Sequence, residues 1–183
     1  NIEKGLLSTI GEKIINYVKK KYKNKVLIRK RDLSLTSPNT YINDTVNDAL
    51  KFYERKNKKK LNIISIFGIE NPLRKADEID NCINMIGYFK LDSLISVTQE
   101  HDQFYYSGKN GIENIRKSDT LTLERDFLYR EVGGMRFFKK FFFKRRNQII
   151  GGNLGYYTVQ KESSLSIKKE HDFNFIKYLM KIK

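Results

Sequence analysis

Residues 61–67, LNIISIF, form an almost uninterrupted apolar run that ends at Gly68. Strands covered by helices on both faces have this continuous apolar character, whereas strands with one solvated face alternate apolar and polar residues. The basic run Lys56–Lys60 before it and Pro72 after it separate the segment from its neighbours. The segment therefore predicts a buried parallel strand in a sheet that helices cover on both faces.

Helical and strand patterns alternate on both sides of this strand. Their alternation predicts an α/β fold, with a mainly parallel sheet flanked by helices, in a single domain over 1–183. The stretch 99–130 lacks clear periodicity and is predicted to be an excursion from that domain. The helical patterns are Ile10 to Tyr22, Thr45 to Tyr53, Ala76 to Ile86 and Asp172 to Met180, and the remaining strand patterns are Val26–Ile28, Leu91–Val97, Gly133–Phe138 and Gly151–Val159.

The composition is that of a folded domain. The 39% hydrophobic and 13% aromatic residues exclude a disordered basic tail, and 183 residues are enough for a real core. The sequence has no apolar stretch of about 18 residues, so no membrane partner is expected. Its first residues lack the layout of a signal peptide, which favours a cytoplasmic protein. One cysteine and two histidines argue against a zinc site.

Basic residues outnumber acidic ones by 36 to 21, which gives a net charge of +15. The runs Lys19–Lys21 and Lys56–Lys60 are predicted at helix ends, where cations complement the helix dipole. The run Lys139–Arg146 interleaves rings and bases, as a stacking platform for single strands does, although three adjacent Phe residues are more often core. The charge is spread along the chain, so nucleic acid is not the expected partner. It remains a third hypothesis, recognisable by a steep fall of affinity with salt.

Several segments resemble, in order and spacing, the acylneuraminate cytidylyltransferase (CMP-sialic acid synthetase) family. The resemblance implies a nucleotide-diphosphosugar-transferase-like fold, in which CTP and a sugar acid are joined with magnesium and pyrophosphate is released. It also implies a dimer, with 99–130 supplying part of the contact. The matching segments are Leu7-Ser8-Thr9, Arg29 to Leu33, Asn71-Pro72-Leu73-Arg74, Asp77 to Asp80, Ser96-Val97, Gly133-Gly134 and Ile167 to Phe173.

The sequence also departs from that family. The family opens with a strand and a glycine-rich loop that cradles the nucleotide phosphates, whereas Asn1 corresponds to a point beyond that loop. The family's metal carboxylates fall on Ser166 and Lys168, its sugar-contacting Gln on Gly68, and the Asn of its "NGA" strand on Val132. Because a hard cation needs oxygen ligands, no cofactor is predicted for this chain, and the 183-residue chain is predicted to be inactive.

The candidate nucleotide- or sugar-binding residues are Arg29, Arg74 and Lys168; catalytic residues stay unassigned. The two arginines are candidate contacts for phosphate or carboxylate, or alternatively salt-bridge partners. Lys168 places a cation where the family holds magnesium, or alternatively points into solvent.

Three hypotheses follow. The chain is a degenerate or truncated cytidylyltransferase of acidic-sugar activation for surface glycans, a catalytically silent binding or scaffolding subunit, or a basic nucleic-acid binder. CTP or a CMP-sugar acid is the expected ligand. A homodimer or a partner chain is expected to complete the sheet, since loss of a central strand would expose unpaired ladder groups.

Overall fold

The computed structural model describes residues 2, 4–37, 39–57, 61–115 and 127–182. In chain order the elements are β1 (Gly5–Thr9), α1 (Glu12–Tyr22), β2 (Val26–Lys30), α2 (Ile42–Lys56), β3 (Ile63–Phe67), α3 (Ala76–Tyr88), β4 (Ser93–Glu100), β5 (Tyr105–Gly108), β6 (Gly111–Asn114), β7 (Leu128–Lys139), α4 (Lys140–Arg146), β8 (Leu154–Thr158) and α5 (Glu170–Ile182). Helices and strands therefore alternate through most of the chain, as the sequence predicts.

The chain divides into two compact units. Unit 1 comprises Asn1–Ile64 and Lys139–Ile149, and unit 2 comprises Ser65–Phe138 and Ile150–Lys183. The chain passes from unit 1 to unit 2 within β3 and returns at the end of β7. A single domain over 1–183 stays a prediction, because two compact units occur within one domain as well as in two.

Unit 1 combines a small sheet with three helices. β1 and β2 pair in parallel, with Gly5 opposite Val26 and Thr9 opposite Lys30. α1 carries Lys19–Lys21 in its last turn and α2 ends on Lys56, so these cations complement the helix dipoles as expected. The buried side chains of this unit come from the helices and the segment after α4: Ile15, Val46, Leu50, Tyr53, Phe142, Phe143 and Ile149.

Unit 2 is built on the four-stranded sheet with the strand order β3-β7-β4-β8. β4 pairs in parallel with β8 and antiparallel with β7, so the sheet is mixed. The α/β fold class is confirmed, and β7 is the strand that departs from parallel pairing. Antiparallel strands can follow each other without a crossover helix, unlike the parallel pairs that the sequence predicts. The fully buried side chains of β4 and β7 include Leu94, Met135, Phe137 and Phe138.

Several details differ from the sequence expectations. β3 is an edge strand of its sheet among the described residues, and its residues are half-buried, whereas the apolar run predicts a fully buried strand. A strand with one neighbour has one side that the sheet does not cover. The excursion at 99–130 contains the β5–β6 hairpin; residues 116–126 of that excursion lie outside the described part. The strand expected over Gly151–Val159 starts at Leu154, because Gly151 and Gly152 have positive φ and form a turn. The basic run after β7 forms the helix α4, which the sequence pattern did not predict.

Candidate functional site

Three segments of unit 2 meet where β3 ends: residues 68–74, the β7 segment 132–135 and residues 163–168. The Gly68 N–H donates to the Gly134 carbonyl at 2.7 Å. This bond holds the turn after β3 against the neighbouring strand. The three segments together are called the Arg74 site, after the cation that lies among them.

Residues 163–168 are fixed to the turn after β3 by two hydrogen bonds. The Asn71 side-chain amide donates to the Leu165 carbonyl at 2.9 Å, and the Ile167 N–H donates to the Glu70 carbonyl at 2.8 Å. Asn71 is buried, with 3% of its surface exposed, so this polar side chain needs such a partner. The loop before α5 is thereby held beside residues 68–74.

The β7 segment of the site, residues 132–135, is a β-bulge. Ile95 faces Arg136 and Val97 faces Glu131, so extra residues of β7 are accommodated opposite Ser96. The buried Ser96 hydroxyl donates to the Val132 carbonyl and lies 3.2 Å from the Met135 N–H, which donates to it. This hydroxyl satisfies backbone groups that the bulge removes from the ladder.

The glycines of the bulge are required by its geometry. Gly133 and Gly134 have φ of 72° and 54°, in the region that favours glycine. A Cβ on Gly134 would lie 2.7 Å from Asn71 Oδ1 and 3.1 Å from the Gly68 backbone nitrogen. The pair therefore allows two backbone segments to approach more closely than residues with side chains could.

Arg74 is a half-buried cation in this site. Its Nη1 donates to the Gly133 carbonyl at 3.0 Å, and its Cζ lies 5.4 Å from the centre of the Phe67 ring. Burial lowers the pKa of Arg74, and the nearby Glu70 charge opposes that effect. Among the described residues no carboxylate lies within ion-pair distance of the guanidinium, so donors remain for an anionic ligand.

Lys168 has an exposed side chain at the start of the last helix. Its backbone N–H and that of Lys169 donate to Asp172 Oδ2, at 3.0 and 2.8 Å. These two bonds are the main reason that the pKa of Asp172 lies below its usual value. The Asp172 carboxylate is thus already engaged, while the Lys168 ammonium faces solvent.

Arg29 lies in unit 1, apart from the other two candidates in the sequence. Its Nε and Nη2 each donate to the Asp48 carboxylate at 2.9 Å, and its Cζ lies 5.5 Å from the centre of the Phe52 ring. The bidentate hydrogen bonds are the first cause of the raised pKa of Arg29 and of the lowered pKa of Asp48. Arg29 already has a salt-bridge partner, and its nucleotide role stays a prediction.

The described residues of the site do not fit a magnesium ion. Ser166 and Lys168 stand where the resemblance places carboxylates, and Asp172 accepts backbone hydrogen bonds. Among the residues that the structure describes, no three His, Cys, Asp or Glu side chains come together as a metal site.

The helices of the described residues also fall short of a membrane span, because none of them has both the length and the apolar character that a span requires.

Unit 2 has a concave surface that is separate from the Arg74 site. It has a volume of about 720 Å³ and lies between α3 and β8, against Met85, Phe89 and Tyr156. β8 and β3 are at opposite edges of the sheet, which separates this groove from the end of β3. None of the sequence-predicted site residues lines it.

Sequence reasoning found Arg74 but assigned no role to Asn71 or Ser96, although both lay in segments of the resemblance. A buried asparagine beside a proline turn looks like ordinary turn chemistry, and a serine within a strand looks like a weak strand former. The signal that could have identified Ser96 is the glycine pair Gly133-Gly134, which lies in β7, the strand that pairs with β4. Two glycines in a strand indicate a bulge whose backbone groups need another partner.

The comparisons with known proteins support the fold. No protein-family model matches the chain, and no curated protein matches its sequence. A 4-diphosphocytidyl-2C-methyl-D-erythritol synthase from Anaerococcus prevotii DSM 20548 has a TM-score of 0.61 at 12% identity, over 98% of this chain and 82% of its own. A second synthase of that name has a TM-score of 0.67 at 9% identity, over 98% and 83% of the two chains.

At these identities the likeness shows the fold alone. The chain shares the nucleotide-diphosphosugar-transferase-like α/β fold of these two synthases. The narrower resemblance to the CMP-sialic acid synthetase family stays a prediction.

Proposed function

We propose that this chain is a cytidylyltransferase-type protein that binds a cytidine nucleotide or a CMP-linked acidic sugar, of the sialic type used in surface glycans. The observation that carries the proposal is the position of Arg74, a half-buried guanidinium without a described carboxylate partner, at the carboxyl end of β3. Ligands of open α/β sheets bind at the carboxyl ends of the strands.

The chemistry of the site suits an anion. A guanidinium offers donors in a planar fork that matches a phosphate or a carboxylate, and an anionic ligand would offset the cost of its burial. The glycine bulge beside it lets the turn after β3 lie close to β7, and the Gly133 carbonyl fixes one nitrogen of the guanidinium. Arg74 would therefore bind the phosphate of the nucleotide or the carboxylate of the sugar acid.

Turnover is not part of the proposal. Nucleotidyl transfer needs charge on the phosphates to be neutralised, which the family achieves with magnesium. The described residues do not supply a magnesium site, so the chain is expected to bind without releasing pyrophosphate. The same observation favours a second candidate function, a catalytically silent scaffolding subunit, which would stabilise a partner and need no nucleotide.

A partner chain is also part of the proposal. β3 lies at one edge of its sheet, and among the described residues β1 pairs with β2 alone. Exposed rings of the excursion, Tyr105, Tyr106 and Phe127, favour a second copy as the partner. Light scattering at micromolar concentration should give about twice the 21.7 kDa chain mass; a strict monomer would refute this.

Thermal unfolding with CTP tests the binding proposal. CTP should raise the melting temperature of the wild type and of Arg130→Ala, a control in the same unit whose arginine forms an exposed ion pair with Glu100. Arg74→Ala should lose the shift. A parallel assay should detect no pyrophosphate. Release above background would contradict the silent site, and the same shift in all three proteins would remove Arg74 from it.

A further inference from the structure

The whole net charge of the protein lies in unit 1. This unit contains 21 Lys and Arg residues against 6 Asp and Glu, whereas unit 2 contains 15 of each. A uniformly lysine-rich composition would spread the excess over both units. The sequence alone shows basic residues along much of the chain, and the fold assigns their excess to one body.

Ion pairs within unit 1 do not change its excess charge, which already subtracts all six acidic residues. Three of them form ion pairs within the unit: Glu12 with Lys30, Asp48 with Arg29, and Glu54 with Lys140. Each pair cancels one cation and leaves the remaining excess in place. Such a body attracts polyanions, and the attraction weakens as salt is added.

Two exposed clusters in unit 1 combine a ring with a cation. The Phe141 ring is 71% exposed, and Arg145 Cζ lies 5.8 Å from its centre. Tyr17 and Tyr22 are 57% and 41% exposed, with Lys21 Nζ 5.4 and 5.5 Å from their ring centres. Unpaired bases stack on such rings while neighbouring cations hold the phosphates.

The arrangement of α4 favours nucleic acid over a membrane. Phe142 and Phe143 of this helix are buried, so Phe141 is the ring that it presents to solvent. A helix that lies on a membrane needs a continuous apolar face, which α4 therefore lacks. A single exposed ring beside Lys144 and Arg145 suits a base instead.

We propose that unit 1 binds single-stranded nucleic acid, with its cations on the phosphates and unpaired bases stacked on Phe141 and Tyr17. Bases within a duplex are already stacked on each other and would not reach these rings, so single strands should be preferred. This activity is independent of the function proposed for the Arg74 site in unit 2.

The test is fluorescence anisotropy of the full chain with a labelled oligothymidylate of about 20 nucleotides. Affinity should fall steeply from about 50 to 200 mM salt, with the slope set by the number of phosphates bound. Phe141→Ala and Tyr17→Ala should each weaken binding about 5- to 100-fold. The matched control is Tyr88→Ala, which removes a ring that is 81% exposed in the charge-balanced unit and should bind like the wild type.

Each other outcome overturns the proposal. Equal affinities for Phe141→Ala, Tyr17→Ala and Tyr88→Ala would show attraction without base stacking. Equal affinity for a duplex of the same length would contradict the preference for unpaired bases. Sedimentation with phosphatidylserine vesicles, without binding of the oligonucleotide, would assign the charge to a membrane surface. Thermal unfolding of the variants separates lost binding from lost folding.

Discussion

Both units of this protein are built from helices and strands, but they differ in how deeply their strands are buried and in their net charge. Unit 2 packs a four-stranded sheet on which large side chains such as Phe137 and Met135 are fully buried, and its charges balance. In unit 1 the two strands contain no fully buried residue, the core comes from helices, and the net charge is +15.

The difference indicates where each kind of function can reside. A paired, buried sheet can hold side chains such as Arg74 in a fixed geometry, as a small-ligand site requires. A two-stranded sheet is marginal by itself, so unit 1 depends more on its helices. Its surface carries the charge that steers large anions. Substitutions in the two units test this contrast.

The largest effect is expected in the core of unit 2. Phe137 is fully buried, and its ring packs edge-on against Phe67 at 5.9 Å between ring centres. Phe137→Ala should lower the free energy of unfolding by about 3–5 kcal/mol, because it removes apolar burial and leaves a cavity. Denaturant unfolding measures this loss.

Phe141→Ala is the matched control in unit 1. Its ring is mostly exposed, so the same substitution should change the free energy of unfolding by less than about 0.5 kcal/mol. Equal losses at the two positions would contradict the contrast between a buried sheet in one unit and a solvent-facing ring in the other.

The glycine bulge should be next in sensitivity. Gly134→Ala forces a Cβ toward Asn71 and keeps a positive φ, so it should cost about 1–3 kcal/mol of unfolding free energy. The control is Gly87→Ala in α3, where an added Cβ meets no atom within 4 Å. It should stabilise by up to about 1 kcal/mol, because alanine favours helices. A neutral Gly134→Ala would show that the close approach is not required.

Much of the fold follows from the sequence, for a physical reason. The run Leu61–Phe67 and the helical pattern from Ala76 to Ile86 are local periodicities, and they reappear as β3 and α3. The antiparallel course of β7 could not be predicted, because pairing direction depends on contacts far apart in the chain. The helix α4 was not predicted either, because its seven residues are too few to show a helical periodicity.

The site was predictable in part. Arg74 was a candidate because Asn71-Pro72-Leu73-Arg74 resembles a turn of the CMP-sialic acid synthetase family. Its contact with the Gly133 carbonyl joins residues 59 positions apart, which no local pattern reveals. Arg29 was also a candidate, but the structure pairs it with Asp48 of α2. A cation and an acid so far apart in the chain give no signal in the sequence that they will pair.

A smaller effect is expected at Lys168. If its ammonium attracts the ligand in place of a metal ion, Lys168→Ala should weaken nucleotide or acidic-sugar binding a few-fold, about 1 kcal/mol or less, because the side chain is exposed. Lys169→Ala should change little. Titration calorimetry with and without EDTA should give the same affinity. Binding that requires magnesium, or that is insensitive to Lys168→Ala, would contradict this role.

The smallest effect concerns the acid stability of unit 1. The Arg29 hydrogen bonds lower the pKa of Asp48, so the folded state holds this proton less tightly than the unfolded chain. The resulting stabilisation is complete above about pH 4 and is lost as the pH falls through the folded pKa. Asp48→Asn should flatten that part of the stability profile. A double-mutant cycle with Arg29→Ala should show no further loss; additive losses would contradict the pairing.

The most direct test of the Arg74 site is titration calorimetry with CMP-linked sialic acid in EDTA. The wild type and Arg130→Ala should bind with equal affinity. Arg74→Ala should bind at least about 10-fold more weakly, because a charge-assisted hydrogen bond is lost. Arg74→Lys should recover part of the affinity, since it keeps the charge and loses the fork. Absence of binding by the folded wild type, or wild-type affinity in Arg74→Ala, would contradict the account.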